Sequence, residues 1–157
     1  MQNTVIDNDF GGGNMENSTK APMWFWALAI IALIWNGLGV GAYFQQMLMS
    51  AEDFAALPEL QRNLLISQPF WATAAFAIAV FAGFAGAITM LMRKRITVRI
   101  FILSFVAVLV QISSYFILDG YLEFISSQGW TMPILIPVFA LAFILFARKF
   151  EKDGILS

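Results

Sequence analysis

Asn36, Tyr43, Gln46, Gln111, Ser114 and Tyr115 are uncharged hydrogen-bonding side chains set within or at the ends of long apolar runs. Amides, hydroxyls and aromatic faces are the groups that recognise a neutral polar solute such as a sugar. These six are the candidate substrate-binding residues, and with Gln45 and Asp119 they fall in the middle or the outer half of their segments. A side-chain amide left unpaired in hydrocarbon costs several kcal/mol, on the order of 2–7. Asn36 and Gln111 must therefore meet each other, a water or a ligand inside the protein. Two readings stay open: a solute site, or interhelical hydrogen bonds worth about 0.6 kcal/mol each on average.

Other chemistry is excluded by what the chain lacks. It contains no histidine and no cysteine, so disulfides, thiolates, the common zinc sites and the usual haem ligands are absent, and only rare arrangements such as tyrosine ligation remain. The commonest general base is missing, as is every serine–histidine or cysteine–histidine pair. We expect no catalytic residue, no metal site, no cofactor and no enzyme activity. A net charge of −1 carries no signal for nucleic acid, and no such partner is expected.

The elements that must position these residues follow from composition. The 157 residues are 60% hydrophobic and 12% charged, with a mean hydropathy of +0.76, against roughly a quarter charged in soluble domains. The lipid bilayer is the solvent. Four runs, 23–48, 70–92, 98–118 and 131–148, reach the roughly 20 apolar residues that a spanning helix needs, and none has a charged residue in its middle. Backbone groups in lipid must be satisfied within the segment, so all four are helices. The fold class is an all-α integral membrane four-helix bundle.

Basic residues set its expected orientation. Lys20, Arg93, Lys94, Arg95, Arg99, Arg148, Lys149 and Lys152 share one side, and only Arg62 lies on the other, which places both termini in the cytoplasm. Trp24 and Trp26 sit near the inner boundary, and Tyr43, Trp71, Tyr121 and Trp130 near the outer one. Residues 1–21 read as a disordered cytoplasmic tail, 22–153 as the transmembrane domain and 154–157 as a C-terminal tail. In the first outer loop Ser50 with Asp53 makes a capping-box-like start. Phe54, Leu57, Leu60 and Leu64 recur at helical spacing, which predicts short amphipathic helices on the outer surface.

The stretch "WNGLGVGAY" (35–43) lies inside the first span, so its glycines are no phosphate loop. At 3.6 residues per turn, Asn36, Gly39, Tyr43 and Gln46 share one face. Gly37 and Gly41 lie beside it as a small-xxx-small pair, expected to pack closely on the face of the second span that holds Ala75, Ala79 and Gly83. Thr73, Val80, Phe84, Ile88 and Leu91 are expected to face lipid. Ser104, Gln111 and Tyr115 form a polar stripe on the third span. Pro137 is expected to kink the fourth.

The motifs "WNGLGVGAYFQQ", "AALPELQRNL" and "QPFWATAAFAIAVFAGFAG" followed by a basic turn resemble a family of small four-helix bacterial inner-membrane proteins. Its members are commonly labelled "sugar transporter". The resemblance covers about residues 22–153 and implies an inner-membrane location in a bacterium and a sugar-like solute. No Asp, Glu, Lys or Arg lies in the middle of a span, unlike most coupled transporters, so passage would be uncoupled. Four spans enclose little space, so a pathway calls for a homo-oligomer. The alternative partner is a larger membrane protein, with this chain as a non-transporting accessory subunit.

Overall fold

A computed structural model describes residues 20–157; the tail expected over 1–21 lies outside the described residues except for its last two. The elements in order are α1 (Met23–Met47), α2 (Ala51–Ala56), α3 (Glu59–Ser67), α4 (Phe70–Leu91), α5 (Ile96–Ile117), α6 (Tyr121–Gln128) and α7 (Thr131–Lys152). α1, α4, α5 and α7 are each long and apolar enough to cross a membrane. Among the described residues there is no strand. Helix α6 occupies the connection between the third and fourth long helices, bracketed by Gly120 and Gly129 at φ of 81° and 97°. The fourth apolar helix runs on to Lys152 and continues through Pro137.

Lipid is as apolar as leucine, so helices in it associate by close packing and not by burying apolar area. The chain meets this with small residues. Along α4, Ala72, Ala75, Ala79, Gly83, Gly86 and Ala87 are buried, and α4 packs most extensively on α5, then on α1, while α7 packs on α5. A side chain at Gly86 would run into the Phe101 ring of α5, 2.7 Å away. The Ser104 hydroxyl donates to the Ala79 carbonyl at 2.7 Å, tying α5 to α4 backbone to side chain.

α1 and α7 meet differently. They touch through rings: Trp24 and Phe25 against Phe150, at 4.6 and 4.8 Å between centroids, and Trp35 stacked on Phe139 at 4.3 Å. Large rings used as spacers hold these two backbones apart.

The ends of the bundle are closed in different ways. At the basic end Phe25, Met90, Phe150 and Leu156 form a dense core. Residues 154–157, expected as a tail, fold back onto it. Gly154 takes a left-handed φ of 71°, which lets the Ile155 and Leu156 amides cap the Phe150 carbonyl. Ser157 N–H then donates to the Arg93 carbonyl at 2.7 Å, and Arg93 Nε donates to the Ile155 carbonyl at 2.9 Å. At the opposite end, α2 starts on Ser50, whose hydroxyl accepts from Asp53 N–H at 3.0 Å. There α3 and α6 pack together, burying Leu64 and Ile125.

Candidate functional site

The wider α1–α7 separation leaves a cavity of about 410 Å³ among α1, α4, α5 and α7. That volume falls in the lower part of the roughly 300–1,000 Å³ range of small-molecule sites. Its polar wall is Asn36, Gln46, Ser104 and Gln111; its apolar walls include Trp35, Phe76, Val80, Phe101, Ile136 and Phe143. No acidic or basic side chain lines it.

Each polar group is held in its own way. Asn36 Nδ2 donates to the Ala32 carbonyl one turn back, at 2.8 Å. This fixes the amide so that Oδ1 fills the place a side chain at Gly83 would take. Gln46 Nε2 donates to Gln68 Oε1 at 3.1 Å, joining the end of α1 to the α3–α4 junction beside the cavity. Ser104 is committed to Ala79. The Gln111 amide has no hydrogen-bond partner among the described residues and lines the cavity half-buried. Among the described residues no side-chain nitrogen or oxygen is buried without a partner. A ligand in this space would meet carbonyl and amide groups on one side and rings and methyls on the other.

Of the six expected binding residues, the structure brings Asn36, Gln46 and Gln111 to the cavity. It places the other three elsewhere. Tyr43 sits in an aromatic cluster between α1 and α4, edge-on to Phe76 and Phe81 at 5.5 Å each. Ser114 is buried with its hydroxyl donating to the Gln111 carbonyl at 2.6 Å. Tyr115 stacks on Tyr121 of α6 at 4.4 Å. Burial first, and then the neighbouring Tyr115, push the Tyr121 phenol above its usual range.

Ser104 joins the site although only the Gln111 stripe, two turns along α5, pointed to it. The apolar wall carried no signal, since Phe and Val in a span look the same whether they face lipid, core or cavity.

The glycines divide differently from expectation. A Cβ at Gly41 would meet nothing within 4 Å, and one at Gly37 would touch only the Phe84 ring at 3.6 Å. The tighter approach on α1 is at Gly39, 3.3 Å from Val80. Ala75, Ala79 and Gly83 are buried as a shared face, but Asn36 and Ser104 occupy Gly83 and no glycine does. Val80 and Phe84, expected toward lipid, lie against α1 because α4 is sandwiched and presents one flank to α5 and another to α1.

No protein-family model, no curated protein and no solved structure matches this chain.

Proposed function

We propose that this chain is a multi-pass membrane protein that binds a small uncharged molecule in the cavity among α1, α4, α5 and α7, without a coupling ion and without catalysis. The observation that supports this reading is the cavity's lining: four uncharged polar side chains on otherwise apolar walls, with the Gln111 amide left for a ligand. Ion-coupled transporters place ionisable groups within the membrane, and none lines this space. Ser104 has no base beside it, and its proton is held by the Ala79 carbonyl. The basic residues at one end favour a cytoplasmic position for both termini and the α4–α5 turn, and the motif resemblance favours a bacterial inner membrane and a sugar-like solute.

The test is reconstitution in liposomes with a panel of neutral sugars and polyols, measuring binding and uptake. Uptake or saturable binding that Asn36→Leu and Gln111→Leu each abolish is the expected result. Signal equal to empty liposomes across the panel, with no thermal stabilisation of the protein by any uncharged compound, would refute it.

One observation favours a second reading, an accessory subunit of a larger membrane protein. Gly41 faces open space, and Ile30, Ile34 and Leu38 on α1 are exposed, so part of α1 is free to receive another helix. Crosslinking from position 41 in the source membrane tests it: a discrete adduct with another protein supports it, and only monomer overturns it.

A further inference from the structure

The cavity has one weak wall. α4 and α5 pack backbone to backbone, and α1 lies on α4, so those seams are closed. Between α1 and α7 the last ring contact toward the loop end is the Trp35–Phe139 stack. Beyond it the cavity is bordered by Leu38 and Ala42 of α1 and by Met132 and Ile136 of α7, all of them exposed. Leu38 and Met132 keep 68% and 60% of their surface. A residue that both lines a cavity and stands on the outer surface marks its mouth. This mouth runs from Leu38 and Ile136, within two spanning helices, to Ala42 and Met132 toward their loop ends, and its four side chains are all apolar.

The end facing the loops is not equally open. Gln46 is bonded to Gln68 there, and α3 and α6 pack on each other at that end of the bundle. The polar groups run along the far wall. Asn36 is eleven residues from the end of α1 at Met47, roughly 16 Å deep at 1.5 Å per residue, and Gln46 lies near that end. The cavity is therefore polar on the inner wall and apolar at the mouth.

We infer that the cavity takes a single-chain, uncharged amphiphile with a hydroxyl-bearing head, a monoacylglycerol-like molecule, which enters from the bilayer between α1 and α7. The head lies against Asn36 and Gln111 and the chain leaves past Leu38 and Ile136. A charged head is excluded because no counter-charge lines the space and an unpaired charge in an apolar site is too costly. The volume of about 410 Å³ fits a head and part of one chain. This inference rests on the binding reading above and names its ligand class and route.

The probe is a monoacylglycerol with a diazirine in its chain, photolysed with the purified protein in phosphatidylcholine nanodiscs and mapped by mass spectrometry. Adducts are expected on the cavity-facing residues of α1 and α7, removed by excess unlabelled monoacylglycerol and not by lysophosphatidylcholine. Ala42→Trp and Ile136→Trp, two independent ways to fill the mouth, should each lower the yield about tenfold, a weakening of ~1.4 kcal/mol. Ile78→Trp, on the exposed side of α4, should leave it unchanged. Adducts spread evenly over exposed faces, or indifferent to competitor and to both mouth variants, would overturn the inference. Sugar uptake that depends on Asn36 and Gln111, without amphiphile labelling, would overturn it while leaving the binding reading intact. Loss of both signals would overturn both.

Discussion

Replacing Gly83 by alanine should destabilise the bundle, although alanine is the better helix former. The propensity gain is about 1 kcal/mol. Against it, the new methyl would coincide with Asn36 Oδ1 and lie 3.1 Å from Ser104 Oγ. Neither neighbour is a free chain end: Asn36 is fixed to Ala32 and Ser104 to Ala79. Forcing an extra methyl into a packed site costs typically about 1–3 kcal/mol, and displacing Asn36 gives up a hydrogen bond worth about 0.6 kcal/mol in a membrane. The balance is a net loss of about 1–2 kcal/mol. Asn36→Ala removes the obstructing oxygen, so Gly83→Ala in that background should cost little, a coupling of about 1–2 kcal/mol against the roughly 0.3–0.5 kcal/mol scatter of independent sites. Unfolding in SDS–detergent mixed micelles, followed by tryptophan fluorescence for the four proteins of the cycle, measures this directly. Additive single effects, or a Gly83→Ala protein as stable as the parent, would show that Asn36 does not sit over Gly83 and that the cavity's polar wall is wrongly placed.

Gly41→Ala should be neutral or stabilising by up to about 1 kcal/mol in the same assay, because its Cβ meets open space; a clear loss would point to a partner helix on that face. Gly154→Ala, at φ 71°, should cost about 1–2 kcal/mol and speed proteolysis of residues 154–157, whereas unchanged stability would refute the fold-back. Tyr121 has a raised pKa, so its neutral form is the one the fold favours. Its contribution is complete below the ordinary tyrosine pKa of about 10 and is lost as pH rises through the folded value. Titrating ultraviolet absorbance to about pH 11 should give the same gain for the parent and Tyr121→Phe, and a smaller gain in the variant would show an ordinary phenol.

The four long helices were legible because length and apolarity alone decide what can cross a bilayer, and their ends fall within a few residues of expectation apart from the run-on to Lys152. The small face of α4 was legible too, since alanine and glycine at helical spacing have few other uses. What fills that face was not. Two glycine-rich stripes suggest mutual contact, but side-chain volume decides the outcome, and the amide of Asn36 fits where a second glycine would leave a void. The same limit applied to the site. Helical phase placed Asn36, Gly39, Tyr43 and Gln46 together, yet Tyr43 is large enough to reach sideways into the Phe76 and Phe81 rings. Helix α6 went unseen because it is only eight residues long, with a glycine at each cap position and no capping side chain to mark its start.

The fold-back of residues 154–157 onto the Arg93 turn has a consequence for the order of assembly. The α4–α5 hairpin makes local contacts and can pack as soon as both helices reach the bilayer. The basic end is completed only when Ser157 pairs with Arg93, across 64 positions of sequence, as 157 − 93. Until then Phe150 and Met90 lack the Leu156 cover they have in the finished bundle. Closure of this end therefore follows the local packing of α4 on α5, because it waits for a contact of long sequence separation.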